Sequence, residues 1–275
     1  MTDTARADDL EVSVVLPAHN ELALLGSTVT NLLTGLEERN LRYEILVVEN
    51  GSNDGTLQLA RVLAAQLPTL SVLSLPRGDY GAALAAGFRA ARGALVVSFD
   101  VDYYDLSFLD AARALIAEGA GDLVIASKRA PGASDRRPLG RRVLTAGFAT
   151  LLHAAVDLPV SDAHGMKVLR RATCAPLVSQ CRLRGSLFDV ELVVRAARAG
   201  LRAVEVPAAV AERRPPRSSV LTRTAESALG IIRLRRVLAH EHPGAPGGPL
   251  RRLAAGVRAA ADRSGFRRRP PASSA

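Results

Sequence analysis

Cysteine and tryptophan are almost missing from this chain of 275 residues: there are two cysteines and no tryptophan. Cys174 and Cys181 are too few for a disulfide framework and bring no second pair of ligands for a zinc site, so the sequence reads as a reduced, thiol-inert protein. No run of eighteen or more uncharged apolar residues occurs, and the first ten residues are polar and acidic, which gives neither a membrane span nor a secretory leader. Lysine is scarce as well. Only Lys128 and Lys167 are present, and neither lies in a Gly-Lys-Ser/Thr sequence, so there is no Walker loop. Gly78, Gly81 and Gly87 lack the Gly-x-Gly-x-x-Gly spacing and follow the third strand-like segment, not the first, which disfavours a nicotinamide cofactor.

What remains is 48% hydrophobic with a net charge of +9, enough for one large α/β domain with an ample core. Arginine supplies nearly all the basic charge, a skew that fits genome composition better than function. Its placement is more informative. Six basic residues face one acid between Lys128 and Arg142, and seven arginines face two glutamates between Glu212 and Arg236. Such local fields suit phosphates or an anionic surface. A nucleic-acid module is a competing reading of the arginine-rich end, but aromatics are only 4% of residues and no nucleic-acid-binding signature is found, so no nucleic acid is expected as a partner.

The first half alternates β-branched runs with alanine- and leucine-rich stretches of helical spacing, the pattern of an α/β fold with a mostly parallel sheet flanked by helices. Strands are predicted at Val12–Leu16, Glu44–Val48, Ser71–Leu75, Ala94–Phe99 and Asp122–Ser127, with helices at Glu21–Arg39, Thr56–Leu67, Tyr80–Arg92 and Leu106–Glu118. After Ser127 the alternation weakens. A basic loop over Ala130–Gly140 precedes a helix near Arg141–Val156, a helix at Phe188–Ala199, a strand at Arg202–Val206 and a helix at Leu221–Leu238. The expected organisation is a flexible segment 1–10, one domain over 11–240, and a Pro/Gly/Arg-rich flexible tail over 241–275.

In an open parallel sheet, ligands sit at the carboxyl ends of the strands, so the loops there carry the functional reading. Strand one runs into Pro17-Ala18-His19-Asn20-Glu21, strand two into Glu49-Asn50-Gly51-Ser52-Asn53-Asp54-Gly55-Thr56, strand three into Arg77-Gly78-Asp79-Tyr80-Gly81, and strand four into Asp100-Val101-Asp102. On extended chain, residues i and i+2 project to one side, so Asp100 and Asp102 can place two carboxylates on one divalent cation, Mg²⁺ or Mn²⁺, that bridges a diphosphate. Read without its neighbours, the same tripeptide is a solvated turn. The second loop reads either as a capped tight turn, with Asn53 or Asp54 as N-cap, or as a loop whose Glu49 or Asn50 meets a nucleobase edge.

Taken in order, Val14 to Glu21, Val47 to Thr56, Gly78 to Gly87 and Asp100-Val101-Asp102 resemble an inverting glycosyltransferase of family 2 with the GT-A fold. Within that family the nearest likeness is to dolichyl- or polyprenyl-phosphate mannose or glucose synthases. It continues through Ala126-Ser127-Lys128, Ser161 to Lys167, Phe188-Asp189-Val190-Glu191 and Glu205-Val206-Pro207 to Arg214-Pro215-Pro216-Arg217-Ser218-Ser219, about residues 11 to 220. The resemblance implies a nucleotide-sugar donor, UDP- or GDP-linked, held by Pro17, His19, Asn20, Glu21, Glu49, Asn50, Gly51, Ser52, Arg77, Gly81, Asp100, Val101 and Asp102. It implies a metal on Asp100 and Asp102, and an acceptor phosphate held by Lys128, Arg141, Arg214 and Ser219. Glu49 and Asn50 replace the two aspartates usual in the family, Arg217 replaces a glycine, and His164 stands where serine is common.

The implied reaction is sugar transfer with inversion, most simply to polyprenyl phosphate. A hydroxyl of a small molecule or glycan is the alternative acceptor, and Asp162 is then the candidate general base. A glycosyltransferase-like protein without activity is a third reading. The helix Leu221–Leu238, apolar on one side and basic at Arg233, Arg235 and Arg236, suggests peripheral contact with the inner face of a membrane for an otherwise cytoplasmic protein.

Overall fold

A computed structural model describes residues 10–128, 130, 134–135, 156, 158–210, 230 and 232–237. The first half follows the predicted alternation. Strands β1 (Val12–Ala18), β2 (Tyr43–Asn50), β3 (Leu70–Leu75) and β4 (Leu95–Ser98) are separated by helices α1 (Leu22–Glu38), α2 (Thr56–Gln66) and α3 (Tyr80–Ala90), and α4 (Leu106–Ala117) leads to β5 (Leu123–Ser127). The later elements are β6 (Ser134–Asp135), β7 (Lys167–Arg170), α5 (Arg171–Gln180), α6 (Leu187–Arg198), β8 (Ala203–Pro207) and β9 (Ala209–Val210).

Seven strands form the central sheet in the order β3-β2-β1-β4-β7-β5-β8. Every neighbouring pair is parallel except those made by β7, which runs antiparallel between β4 and β5. Central strands buried on both faces favour near-continuous apolar runs, and β1, β2 and β5 are buried throughout, their few polar residues such as Ser13 and Glu44 hydrogen-bonding one another. Side chains alternate between two cores. Val12, Val14 and Leu16 enter the core under α1, α2 and α4, whereas Val15 enters the one under α3, α5 and α6.

The chain steps outward from β1 through β2 to β3, then α3 carries it back across to β4 on the other side of β1. This reversal opens a crevice beyond the carboxyl ends of β1 and β4, where the helix connections diverge to opposite faces.

Two features of the back half escaped the sequence reading. Strand β7 is only four residues long and enters the sheet backwards, and α5 contains Pro176. A short apolar segment beside an internal proline gives no clear period. The helices expected near Arg141–Val156 and over most of Leu221–Leu238, like the segments 1–9 and 241–275, lie outside the described residues. Within the last helical stretch, Leu234 is buried while Ile232, Arg233, Arg235 and Arg236 are exposed.

Candidate active site

The Asp-x-Asp segment sits in a tight turn, not on extended chain. β4 ends at Ser98, and Asp100 and Tyr103 exchange two backbone hydrogen bonds of 3.0 and 3.1 Å that fold residues 100–103 back on themselves. The Thr28 hydroxyl of α1 donates to the Val101 carbonyl at 2.7 Å, and the Val101 side chain is buried in the core beneath α1. With the middle residue anchored inward, Asp100 and Asp102 are both left lining the crevice. Both carboxylates thus reach one cavity from a turn, not from the extended chain that the i, i+2 spacing assumes.

The cavity at the crevice has a volume of about 300 Å³ and draws on all four strand ends: Pro17 and Ala18 at the end of β1 with His19 and Glu21 after it, Asn50 at the end of β2, Gly78, Asp79 and Tyr80 after β3, and Asp100, Val101 and Asp102 after β4. Mutual hydrogen bonds hold these loops together. A carbonyl can only accept, so the 2.7 Å contact between His19 Nδ1 and the Asn50 carbonyl puts the proton on Nδ1, and Nε2 then accepts from the Asn20 side-chain amide at 3.3 Å. Asn20, at φ 55°, also ties loop one to loop two. Its backbone N–H donates to Ser52 Oγ at 3.0 Å and its Oδ1 accepts from the Asn53 N–H at 2.9 Å. The Glu21 N–H donates to Thr56 Oγ1 at 2.8 Å.

Loops two and three meet where only glycine fits. Gly51 has φ +66°, and a Cβ there would lie 2.8 Å from the backbone of Arg77 and Gly78. Asn50 Oδ1 accepts from the Asp79 N–H at 2.7 Å across the same junction. Asp79 caps α3 by accepting from the Ala82 N–H at 2.9 Å, and the same oxygen accepts from the Gly185 N–H at 2.9 Å. The N-cap of α2 is Gly55, at φ 97°, and not Asn53 or Asp54. Asp54 serves the neighbouring position by accepting from the Thr56 N–H at 3.0 Å.

Of the residues assigned to the donor from sequence, Pro17, His19, Glu21, Asn50, Asp100, Val101 and Asp102 line the cavity. Asn20, Gly51 and Ser52 build the loops behind it, Arg77 is exposed beside Gly51, and Gly81 packs against Gly185 and Phe188. Glu49 is 2% exposed, and its carboxylate accepts from the Ser52 N–H and from the Ser74 hydroxyl, at 2.9 Å for the latter, so it works inside the loop. Gly78, Asp79 and Tyr80 were not singled out for the donor. Their loop lacks a recognisable phosphate-binding spacing, and its signals are its position after β3 and its place at the start of the Gly78 to Gly87 segment.

Charge in the cavity is unevenly set. Burial first, and then the neighbouring Asp102, push the Asp100 carboxyl up to about 6, while the Tyr80 hydroxyl, donating to Asp100 Oδ1 at 3.2 Å, offsets part of that rise. A buried carboxylate raised by a second carboxylate is relieved by a cation between them. No group of three or more His, Cys, Asp or Glu side chains suited to a metal occurs among the described residues. Two carboxylates nevertheless fit a hard divalent ion that takes its other ligands from phosphate oxygens and water.

A second polar cluster lies at the carboxyl ends of β5 and β8. Ser161 donates from its N–H and hydroxyl to Glu205 at 2.9 and 2.7 Å, its hydroxyl lies 3.0 Å from that of Ser127, and Asp162 accepts from the His164 N–H at 3.0 Å. Burial works to raise the Asp162 carboxyl, but the His164 ring and N–H together with Lys128 outweigh it and hold the group well below the usual carboxylate range. Lys128 is half-buried next to Ser127; Arg141, Arg214 and Ser219 lie outside the described residues.

The profile described as Glycosyl transferase family 2 matches residues 13–173. The glycosyltransferase AglD of Haloferax volcanii is 32% identical over 74% of the chain, and the aligned part spans only 33% of that relative's length. An uncharacterized glycosyltransferase of Mycobacterium tuberculosis strain H37Rv is 34% identical over 82% of the chain and 97% of its own length. The dolichyl-phosphate beta-glucosyltransferase ALG5A of Trichomonas vaginalis is 27% identical over 71% of the chain and 64% of its length. In structure, glucosyl-3-phosphoglycerate synthase from M. tuberculosis, crystallised with Mn²⁺, UDP and phosphoglyceric acid, superposes with a TM-score of 0.60 at 25% identity, covering 86% of this chain and 80% of that one. With the GT-A architecture and the strand-end cavity in place, the chain belongs to glycosyl transferase family 2.

Proposed function

We propose that this protein transfers a sugar from a nucleoside diphosphate sugar, UDP- or GDP-linked, to the phosphate of a polyprenyl lipid, with inversion at the anomeric carbon. The reading is carried by one observation: the paired carboxylates Asp100 and Asp102 open into the same cavity as His19, Glu21 and Asn50 at the reversal point of the sheet. Bound there, Mg²⁺ or Mn²⁺ supplies positive charge against the departing diphosphate. The chain's own groups do the rest. His19, with both ring nitrogens engaged, forms a rigid wall. Asn50, whose Oδ1 is taken by Asp79, keeps its NH₂ as a donor for the nucleoside.

Two features favour phosphate over hydroxyl as the acceptor. A hydroxyl must lose a proton, and an efficient general base has a pKa near the working pH. Asp162 is held far below that, which suits a structural anion. A phosphate is already ionised and needs no base, and Lys128 stands beside Asp162 as a first cation for it, with Arg141, Arg214 and Ser219 as further contributors. The dolichyl-phosphate beta-glucosyltransferase among the relatives points the same way. No helix among the described residues is long and apolar enough to cross a membrane. The exposed Ile232, Arg233, Arg235 and Arg236 are suited to surface contact with the inner face of a membrane that carries the lipid phosphate.

The deciding assay incubates the protein with radiolabelled UDP- and GDP-sugars, Mn²⁺ and polyprenyl phosphate in detergent. A glycolipid formed with one donor is the expected result. Donor consumption that gives only free sugar or a water-soluble glycoside would replace the acceptor assignment by the hydroxyl alternative, and no donor consumption at all would favour a binding protein without activity.

A further inference from the structure

Behind the two carboxylates lies a set of contacts that no family spacing announces. Tyr80 is the first residue of α3, and its hydroxyl donates to Asp100 Oδ1 at 3.2 Å. One carboxylate oxygen of Asp100 is thereby engaged from within the protein, which fixes the plane in which the other is presented.

The position of Tyr80 is determined in turn by α6. The Asp79 carboxylate that caps α3 also accepts from the Gly185 N–H at 2.9 Å, and Gly81 leaves no room for a side chain, since a Cβ would meet Gly185 O at 2.5 Å and Phe188 Cβ at 2.7 Å. Helix α6 is anchored to the sheet by a fully buried ion pair, Asp189 Oδ1 to Lys167 Nζ at 3.0 Å, with Lys167 also donating to the Gly165 carbonyl at 2.7 Å. In the β4–β7 register Lys167 lies opposite Ser98, two residues before Asp100. Both partners of the Tyr80–Asp100 hydrogen bond thus belong to one buried frame, where a buried ion pair serves geometry better than net stability.

We propose that Tyr80 is a positioning residue for the cation-binding carboxylate Asp100. This rests on the reading of Asp100 and Asp102 as cation ligands and adds the residue that orients one of them. Removing a hydrogen-bond partner of a metal-ligating carboxylate typically costs ten- to a hundredfold in metal affinity. A residue that only walled the cavity would instead alter nucleotide binding with and without metal alike.

The test compares wild type, Tyr80→Phe and the control Tyr43→Phe, whose hydroxyl contacts Glu37 at 3.3 Å on the other side of the sheet. Bound Mn²⁺ is counted by electron paramagnetic resonance in the presence of UDP, and metal-free UDP affinity is measured by calorimetry. Circular dichroism melts verify that both variants fold. Tyr80→Phe is expected to weaken Mn²⁺ by about tenfold while metal-free UDP affinity stays within about twofold and Tyr43→Phe matches wild type. Unchanged Mn²⁺ affinity in Tyr80→Phe, or equal losses with and without metal, would overturn the role of Tyr80 and leave the cation site standing. Failure of wild type to bind Mn²⁺ would overturn both.

Discussion

The two ends of the sheet's carboxyl edge are built on different principles. At β1 to β4, three loops are tied to one another and the fourth to α1 largely through main chain: the Asn50 carbonyl to His19, the Asn53 N–H to Asn20, the Asp79 N–H to Asn50 and the Val101 carbonyl to Thr28. At β5 and β8 the ties are between titratable side chains and their neighbours, Glu205 with Ser161 and Asp162 with His164. The first arrangement makes a concave wall lined by four acidic residues, Glu21, Asp79, Asp100 and Asp102. The second makes a polar shelf beside Lys128, with its carboxylates already accepting hydrogen bonds from Ser161 and His164. A rigid cradle suits a ligand whose shape is always the same, such as a nucleoside diphosphate. A shelf beside a half-buried lysine suits an anionic acceptor presented from outside.

The difference can be broken from either end. The largest effect is expected at the cradle: Asp102→Ala should lower both donor hydrolysis and sugar transfer by on the order of a hundred- to a thousandfold, as loss of a preorganised electrostatic group does. Steady-state rates with and without acceptor check this, and transfer that survived with hydrolysis alone abolished would detach Asp102 from the chemistry. Next comes the frame beneath. Lys167→Met leaves Asp189 buried and uncompensated and should destabilise by about 3 kcal/mol, whereas Lys167→Met combined with Asp189→Leu should recover most of that. Urea melts of the single and double variants test the coupling.

On the shelf, Lys128→Ala should raise the KM for polyprenyl phosphate by about tenfold, the worth of one charge-assisted contact, with donor hydrolysis unchanged. Loss of donor affinity in that variant would merge the two regions into one. The smallest effect is the pH response. Because the Asp100 carboxyl is raised to about 6, it is ionised above that value and protonated below it, so a proton competes with the cation only on the acid side. Mn²⁺ affinity should be flat from pH 8 to 7 and reduced about twofold at pH 6, where half the carboxyl is protonated. Affinity rising toward acid pH would contradict the assignment.

Much of the cradle was legible in the sequence because its signals are local. Alternating apolar runs fixed β1 to β5, and Gly51 and Asp100-Val101-Asp102 fall where chain order and turn chemistry demand them. Glu49 was misleading for a physical reason: an acid among turn formers reads as a ligand contact, while the fold uses it to satisfy the Ser52 N–H and the Ser74 hydroxyl inside the loop. The rest depends on contacts distant in sequence. Lys167 meets Asp189 only because β7 runs backwards between β4 and β5, and Gly81 matters only because α6 crosses it. Tyr80 reads from spacing as a helix-start residue, and its reach to Asp100 depends on the turn at 100–103, which no local signal gives.

The account turns on whether the strand-end cradle grips a diphosphate through a cation held by Asp100 and Asp102. Calorimetric titration of UDP and GDP into the protein, with and without Mn²⁺, measures this directly. For at least one of the two nucleotides, Mn²⁺ should tighten binding by at least about tenfold in wild type and have no effect in the Asp100→Ala/Asp102→Ala double variant. Equal affinities with and without the ion in wild type, or a tightening that persists in the double variant, would contradict it.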